Sequence, residues 1–324
     1  MSKEVVLEFP DNLIIPLLFG EYNRHLSYLE KKLDIEIIDR ANILRITGNI
    51  EDITKAQMTL QTLHTRLQQG EIQNVTRANI DAELRFLSHE ESNSDTPQKT
   101  SYDIIKTKRK TVAPRSPNQQ KYIELIHEND MVFALGPAGT GKTYLSVATG
   151  VDLYLKGEVD RLIFCRPAIE AGENLGFLPG DMKEKIDPYL RPIYDALQDM
   201  LPIEFLSKKM EAGEIEIAPL AFMRGRTLTR AFVILDEAQN TTAMQMKMFL
   251  TRMGESSHMV ITGDPSQSDL PGLSKSGLND ALEILKGTEG IGFINFTDKD
   301  VIRHPLVRKI IQAYDKSTKA KSGK

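Results

Sequence analysis

The 324-residue sequence predicts an α/β protein: a doubly wound, mostly parallel central sheet preceded by a small α+β domain. Three observations predict this class. Apolar runs of strand length alternate with helical patterns from about Asn118 to Tyr314. Most of those runs are continuously apolar, as strands covered on both faces of a parallel sheet are. Residues 1–75 carry a shorter pattern of their own, in the order strand, helix, strand, strand, helix.

Each element has a local reason. Val5–Phe9 (VVLEF) reads as a strand, and Leu13–Leu33 places Leu26, Leu29 and Leu33 at helical spacing. Ile35–Ile38 and Ile43–Ile46 read as two short strands, followed by an amphipathic helix with Asn49 as its cap. This first domain is expected over residues 1–80. Residues 81–115 are expected to be a flexible linker, because the stretch beginning SHEESNSDTPQK is polar and charged with little to bury. The main domain is expected over 116–316. Its strand candidates are Met131–Leu135, Arg161–Cys165, Ile215–Ala218, Phe232–Leu235, His258–Ile261 and Ile291–Phe296. A basic tail, 317–324, ends the chain.

Composition narrows the classes. The net charge of −4 gives no global attraction to nucleic acid. Basic residues cluster locally at Lys106, Lys108, Arg109, Lys110 and Arg115, and again at Lys316, Lys319, Lys321 and Lys324. Each cluster is either a solvated segment or a phosphate-backbone contact. A single cysteine, Cys165, excludes an internal disulfide framework and a cysteine-rich zinc site. No window holds the roughly 18 apolar residues of a membrane span. The N-terminal MSKEVVLEFPDN lacks the apolar run of an export signal, so a cytoplasmic location is expected.

The chemistry-bearing motif is GPAGTGKT, Gly136–Thr143, which matches G-x-x-x-x-G-K-[ST] between the strand MVFAL and a helical segment. Gly136, Pro137, Ala138, Gly139, Thr140 and Gly141 are expected to form a loop whose backbone N–H groups face phosphate oxygens. The start of the next helix adds partial positive charge. Lys142 is expected to reach the β- and γ-phosphates, and Thr143 to ligate Mg²⁺. A chance glycine turn is the plain alternative, and the strand–loop–helix context weighs against it.

A second motif, FVILDE (Phe232–Glu237), places two acids at the end of an apolar strand. Asp236 is the natural partner of Mg²⁺, through water, and Glu237 can polarise an attacking water. The third is TGDPSQ, Thr262–Gln267. If its strand lies between the strand of the glycine-rich loop and that of the acids, Gln267 approaches the γ-phosphate from the side. Its amide can donate to a phosphate oxygen and accept from the attacking water. Asp264 either orients that water or holds a nearby backbone. A surface turn is the plain alternative.

The segment from Asn118 to Tyr314 resembles the PhoH family of bacterial P-loop ATPases and, more distantly, the first motor domain of superfamily-one helicases. Beyond the loop, the resemblance rests on RPAIEAGENLGFLPGD (Arg166–Asp181), DPYLRPIYDAL (Asp187–Leu197), IAPLAFMRGRTL (Ile217–Leu228), LDEAQNTTAMQMKMFLTRMG (Leu235–Gly254) and DVIRHPLV (Asp300–Val307). It implies a RecA-like domain in which Gln119, with Gln120 as the neighbouring alternative, reads the adenine edge. Gly139, Gly141, Lys142 and Thr143 bind phosphate and magnesium; Asp236 and Glu237 are the Mg²⁺-linked acid and the catalytic glutamate. Gln267 matches the γ-phosphate sensor, and Arg303 completes the nucleotide site, from a neighbouring subunit in one version. Arg166, Arg224 and Arg226 are either further members of the site or structural ion pairs. Residues 1–75 resemble a divergent KH-type RNA-binding fold with Gly20 near its nucleic-acid loop. That loop reads GEYN (Gly20–Asn23), without the second glycine of a G-x-x-G clamp and with an acid inside, so it either clamps phosphate or serves as a scaffold.

The resemblance therefore implies a Mg²⁺-dependent ATPase in RNA metabolism, including ribosomal RNA processing with an endoribonuclease partner. The chain has room for one motor domain, so a helicase mechanism needs a second copy and predicts a homo-oligomer or ring. A nucleotide-gated RNA or protein binding switch is the second reading. A metabolic kinase is the third, and nothing in the chain reads as a lid or acceptor pocket. Among smaller features, Met246, Phe249, Leu250 and Met253 form a stripe read as core, and Cys165 reads as a buried small hydrophobe. His304 is the one histidine placed beside a candidate site residue.

Overall fold

The computed structural model describes residues 3–90, 103–167, 182–267 and 276–302, together with 306, 307 and 310. They group into two compact units, Met1–Lys106 with Lys110–Gln120, and Thr107–Arg109 with Lys121–Lys324.

In the first unit, β1 (Lys3–Glu8) is followed by α1 (Ile15–Phe19) and α2 (Arg24–Leu33). Then come β2 (Glu36–Arg40), β3 (Ile43–Gly48) and α3 (Ile50–Gln68). The strands form an antiparallel sheet in the order β1-β3-β2. Alternation along them sends Leu7, Ile37, Leu44 and Ile46 into the core with Ile53, Leu60 and Leu63 of α3, and leaves Val6 and Ile38 exposed. The single helix expected over Leu13–Leu33 is broken at GEYN. Gly20, Tyr22 and Asn23 all have positive φ (76°, 54° and 56°), which no α-helix accommodates.

The expected linker is a second correction. Its first ten residues belong to α4 (Arg77–Glu90), which buries Ile80 and Leu84 against the first unit's core. Thr76 and Asn79 close its first turn by exchanging backbone-to-side-chain hydrogen bonds of 2.9 and 3.3 Å. Tyr28 of α2 donates to Asp81 at 2.8 Å. Further along, β4 (Ile105–Lys106) pairs antiparallel with β5 (Thr111–Val112), burying Ile105 opposite Val112.

The helix α5 (Pro117–Glu128) leads into the second unit. There the order is β6 (Met131–Leu135), α6 (Lys142–Lys156), β7 (Arg161–Arg166), α7 (Met182–Met200) and α8 (Ile203–Glu211). After these come β8 (Ile215–Pro219), β9 (Ala231–Leu235), α9 (Ala243–Leu250), β10 (His258–Gly263), α10 (Gly277–Leu285) and β11 (Ile291–Asn295). The six strands lie in the order β11-β6-β10-β9-β7-β8, and every neighbouring pair is parallel. β6 and β9 are buried at every position, which is why they read as unbroken apolar runs. Met246 and Phe249 are buried in this core with Leu250 and Met253 packed against it, and Cys165 is fully buried, which pushes its thiol pKa up. Among the described residues no helix is long and apolar enough to cross a membrane.

The sheet order matters most for function. β10 lies between β6 and β9, so the loops carrying the three sequence motifs leave adjacent strands at one edge of the sheet. In a parallel α/β sheet, the crevice beyond the carboxyl ends of the strands is where ligands bind.

Candidate nucleotide-binding site

The glycine-rich loop is built by close approach. Gly136 donates its N–H to Gly263 O of β10 at 3.1 Å. A Cβ at Gly136 would stand 2.4 Å from the Phe296 carbonyl oxygen, so only glycine fits. Gly139 and Gly141 have φ of 84° and 86°, which curl the chain before α6 begins at Lys142. Thr140 donates to Pro137 O at 3.0 Å across the loop. The buried Lys142 ammonium donates to Gly136 O at 2.6 Å and to Pro137 O at 3.0 Å, so its charge lies against the strand-side wall of the loop. Farther along α6, Gly150 sits against the Phe232 ring and lets the helix approach β9.

The register across the sheet brings the acids to this loop. Ile261 and Cys165 both pair with Leu235. Thr262 and Arg166 therefore flank Asp236, one residue further on, from opposite sides. Thr143 donates to Asp236 Oδ1 at 2.8 Å, and Thr262 donates to the same oxygen at 2.6 Å. The other oxygen, Oδ2, lies 3.2 Å from Arg166 Nε. Asp236 itself is buried, so its charge needs these partners. A hydroxyl and a carboxylate side by side are hard oxygen donors of the kind Mg²⁺ accepts, with phosphate oxygens and water completing its shell. Among the described residues no group of three or more His, Cys, Asp or Glu side chains is placed to hold an ion by protein ligands alone.

Glu237 has φ of 54°, left-handed for a residue with a side chain. Arg166 donates to its Oε1 at 2.8 Å and Gln239 to its Oε2 at 2.6 Å. The Glu237 side chain stays 44% exposed, far more open to a water than the buried Asp236. Gln239 also accepts the N–H of Asp264 at 3.1 Å through its own Oε1.

In the third motif, Asp264 holds its own turn: its Oδ1 accepts from the Ser266 N–H (3.0 Å) and hydroxyl (2.7 Å). Gln267 closes the turn with its N–H on Asp264 O at 3.0 Å, and it is exposed. Of the two roles open to Asp264, holding backbone is the one seen.

Other expected residues have partners of their own. Gln119 is buried at the start of α5 and accepts the Arg115 N–H at 2.7 Å, while Gln120 donates to Asp103 at 2.8 Å. Both amides are thus engaged within the first unit. Arg303 and His304 lie outside the described residues; Ile302, just before them, donates its N–H to Gly139 O at 2.9 Å. Of the three further arginines, only Arg166 meets the acids. Arg226 forms a two-pronged pair with Glu216 (2.7 Å each), and Arg224 is exposed. Within the basic cluster of the expected linker, Lys108 lies over the Phe205 ring, and Arg109 donates its N–H to Met200 O at 3.1 Å. Thr262 and Gln239 were not singled out by sequence reasoning. Thr262 stands inside TGDPSQ and Gln239 inside LDEAQN, but Thr262 reaches Asp236, and Gln239 reaches Asp264, only because β10 and β9 are neighbours.

A family model described as PhoH-like protein matches residues 111–315. The chain is similar to a PhoH-like protein of Bacillus subtilis (strain 168), 49% identical over 96% of this chain and 96% of that one. It is also similar to a PhoH-like protein of Mycobacterium tuberculosis (strain ATCC 25618 / H37Rv), 44% identical over 98% of this chain and 89% of that one. Among solved structures it is similar to the Pif1 helicase from Candida albicans, 14% identical with a TM-score of 0.31 over 56% of this chain and 39% of that one.

Proposed function

The chain belongs to the PhoH-like protein family, and on that premise we propose that it is a Mg²⁺-dependent ATPase acting in RNA metabolism. The observation that carries the reading is the Thr143–Asp236 hydrogen bond with Glu237 immediately beyond it, held by Arg166 and Gln239. Backbone N–H groups of the loop and the start of α6 bind the phosphates, and Lys142 turns from the loop carbonyls to the β- and γ-phosphoryl oxygens. Thr143 and, through water, Asp236 would hold Mg²⁺, which would supply neutralising charge to those oxygens. Glu237 accepts a proton from the water whose oxygen bonds to the γ-phosphorus as the bond to the ADP oxygen breaks. Gln267 senses the γ-phosphate, Gln119 reads the adenine edge, and Arg303 completes the site from a neighbouring subunit.

In the same reading the N-terminal unit is KH-like and binds RNA, with GEYN at its tip. A homo-oligomer or ring of such chains works in the cytoplasm with an endoribonuclease partner. What supports this part is the family and the order of elements in the three-stranded unit.

The test is RNA affinity and solution mass of Glu237→Gln loaded with ATP, with ADP or with neither. The proposal expects an oligomer whose RNA affinity differs between the two nucleotides, and a wild-type turnover rate that RNA raises. A monomer with nucleotide-independent RNA binding and no stimulation would sink the RNA part of the proposal.

A further inference from the structure

We propose that Gln239 is the positioning residue that couples Glu237 to the loop carrying Gln267. Its side chain is buried and spans the two: Nε2 donates to Glu237 Oε2 at 2.6 Å, and Oε1 accepts the Asp264 N–H at 3.1 Å. Only a side chain that donates at one end and accepts at the other does both. A glutamate would set two carboxylates against each other, and a leucine would leave Glu237 and the Asp264 N–H without these partners.

Asp264 and Ser276 both bond to Gln239: the Asp264 N–H meets its side-chain oxygen, and Ser276 donates its hydroxyl to Gln239 O at 2.8 Å. Gly277 then donates its N–H to Thr241 O at 2.7 Å. Gly263 is part of the same fit, since a Cβ there would stand 2.8 Å from Gln239 Oε1. The Asp264 N–H opens the turn that Gln267 closes. Movement of this turn when Gln267 meets a phosphate therefore pulls on the Gln239 amide, and through it on Glu237. Arg166 holds the opposite oxygen of Glu237 and also touches Asp236, so the linkage ends at the Thr143–Asp236 pair.

This inference rests on the ATPase reading and adds a coupling to it. The test uses the whole chain with Mg²⁺-ATP and compares wild type, Gln239→Leu, Gln239→Glu, Gln267→Ala and the Gln239→Leu/Gln267→Ala double variant. Affinity for a fluorescent non-hydrolysable ATP analogue is measured beside turnover. Gln239→Leu and Gln239→Glu are expected to lower kcat about 10- to 100-fold with analogue affinity within about twofold. Retained affinity reports a folded site. Adding Gln267→Ala to Gln239→Leu is expected to cost much less than it does in the wild type, because the coupling is already broken. Additive losses, or turnover of Gln239→Leu within about twofold of wild type, would overturn the coupling alone. Absence of turnover in the wild type at saturating analogue affinity would overturn the hydrolase reading and the coupling with it.

Discussion

The Thr143 hydroxyl donates to Asp236 Oδ1 at 2.8 Å although 93 positions separate the two residues in the chain. One stands on the second residue of α6 and the other just past β9, and the bond closes the space between helix and strand. In water the exchange of such a bond contributes only about 1 kcal/mol, and more when one partner is charged. Its larger consequence is placement of two oxygens side by side. Thr143→Ala is predicted to weaken Mg²⁺-dependent nucleotide binding about 10- to 100-fold while leaving Mg²⁺-independent binding almost unchanged. Titration with and without the metal checks this.

Lys142 has its ammonium on the carbonyls of Gly136 and Pro137. Those bonds are local, and the phosphates offer stronger, charge-assisted ones. Lys142→Ala is predicted to lower ATP affinity about 10- to 100-fold, with an unfolding midpoint close to wild type. Isothermal calorimetry and urea unfolding on the same sample separate the two effects.

Arg166 is the cation between Asp236 and Glu237. Removing it leaves a buried carboxylate short of a partner, so Arg166→Ala is predicted to destabilise the second unit by about 2–4 kcal/mol and to abolish turnover. Arg166→Lys supplies charge without the fork and should restore stability in part and turnover hardly at all. Equal stability of the two variants in denaturant, or turnover by Arg166→Lys close to wild type, would contradict this.

Gly150 sets helix propensity against packing. Alanine there gains about 1 kcal/mol of intrinsic helix preference. The added Cβ would stand 2.5 Å from the Phe232 ring in a filled core, and overpacking of that kind costs about 1–3 kcal/mol. Packing wins, so Gly150→Ala is predicted to lower the unfolding midpoint.

Two histidines make the first unit sensitive to acid. Burial pulls the pKa of His25 below its ordinary 6.5, against the opposing hydrogen bond to Leu18 O, and burial does the same to His64. Between the folded and unfolded values the unfolded chain holds more protons, so stability rises with pH there. Their contribution is intact above about pH 6.5 and is lost as pH falls below it. Urea midpoints from pH 7.5 to 5 should fall for wild type, and less steeply for a His25→Gln/His64→Gln double variant.

Most strands of the second unit are legible because their runs are continuously apolar; Met131–Leu135 has the expected bounds, and the acid strand begins one residue earlier than expected, at Ala231. The glycine-rich loop was legible because its glycines answer steric demands, as the contact between Gly136 and Phe296 shows. Sheet order was not written in any local pattern. Thr262 and Arg166 flank Asp236 only because β10 and β7 flank β9, and Gln239 reaches Asp264 for the same reason. The helix Arg77–Glu90 straddles the boundary expected after residue 80, since Ile80 and Leu84 become a buried face only once a core exists to meet them. Gly20–Asn23 interrupts a run of good helical spacing through backbone conformation alone.

The proposed ATPase sets Glu237 beside a nucleotide held by the loop, Thr143 and Asp236. The most direct measurement is inorganic phosphate release from Mg²⁺-ATP by the whole chain, wild type against Glu237→Gln, at matched nucleotide occupancy. The amide keeps the size of the side chain but cannot accept the proton, so turnover should fall at least about 100-fold with ATP affinity kept. Turnover of Glu237→Gln equal to wild type, at the same occupancy, would contradict the account.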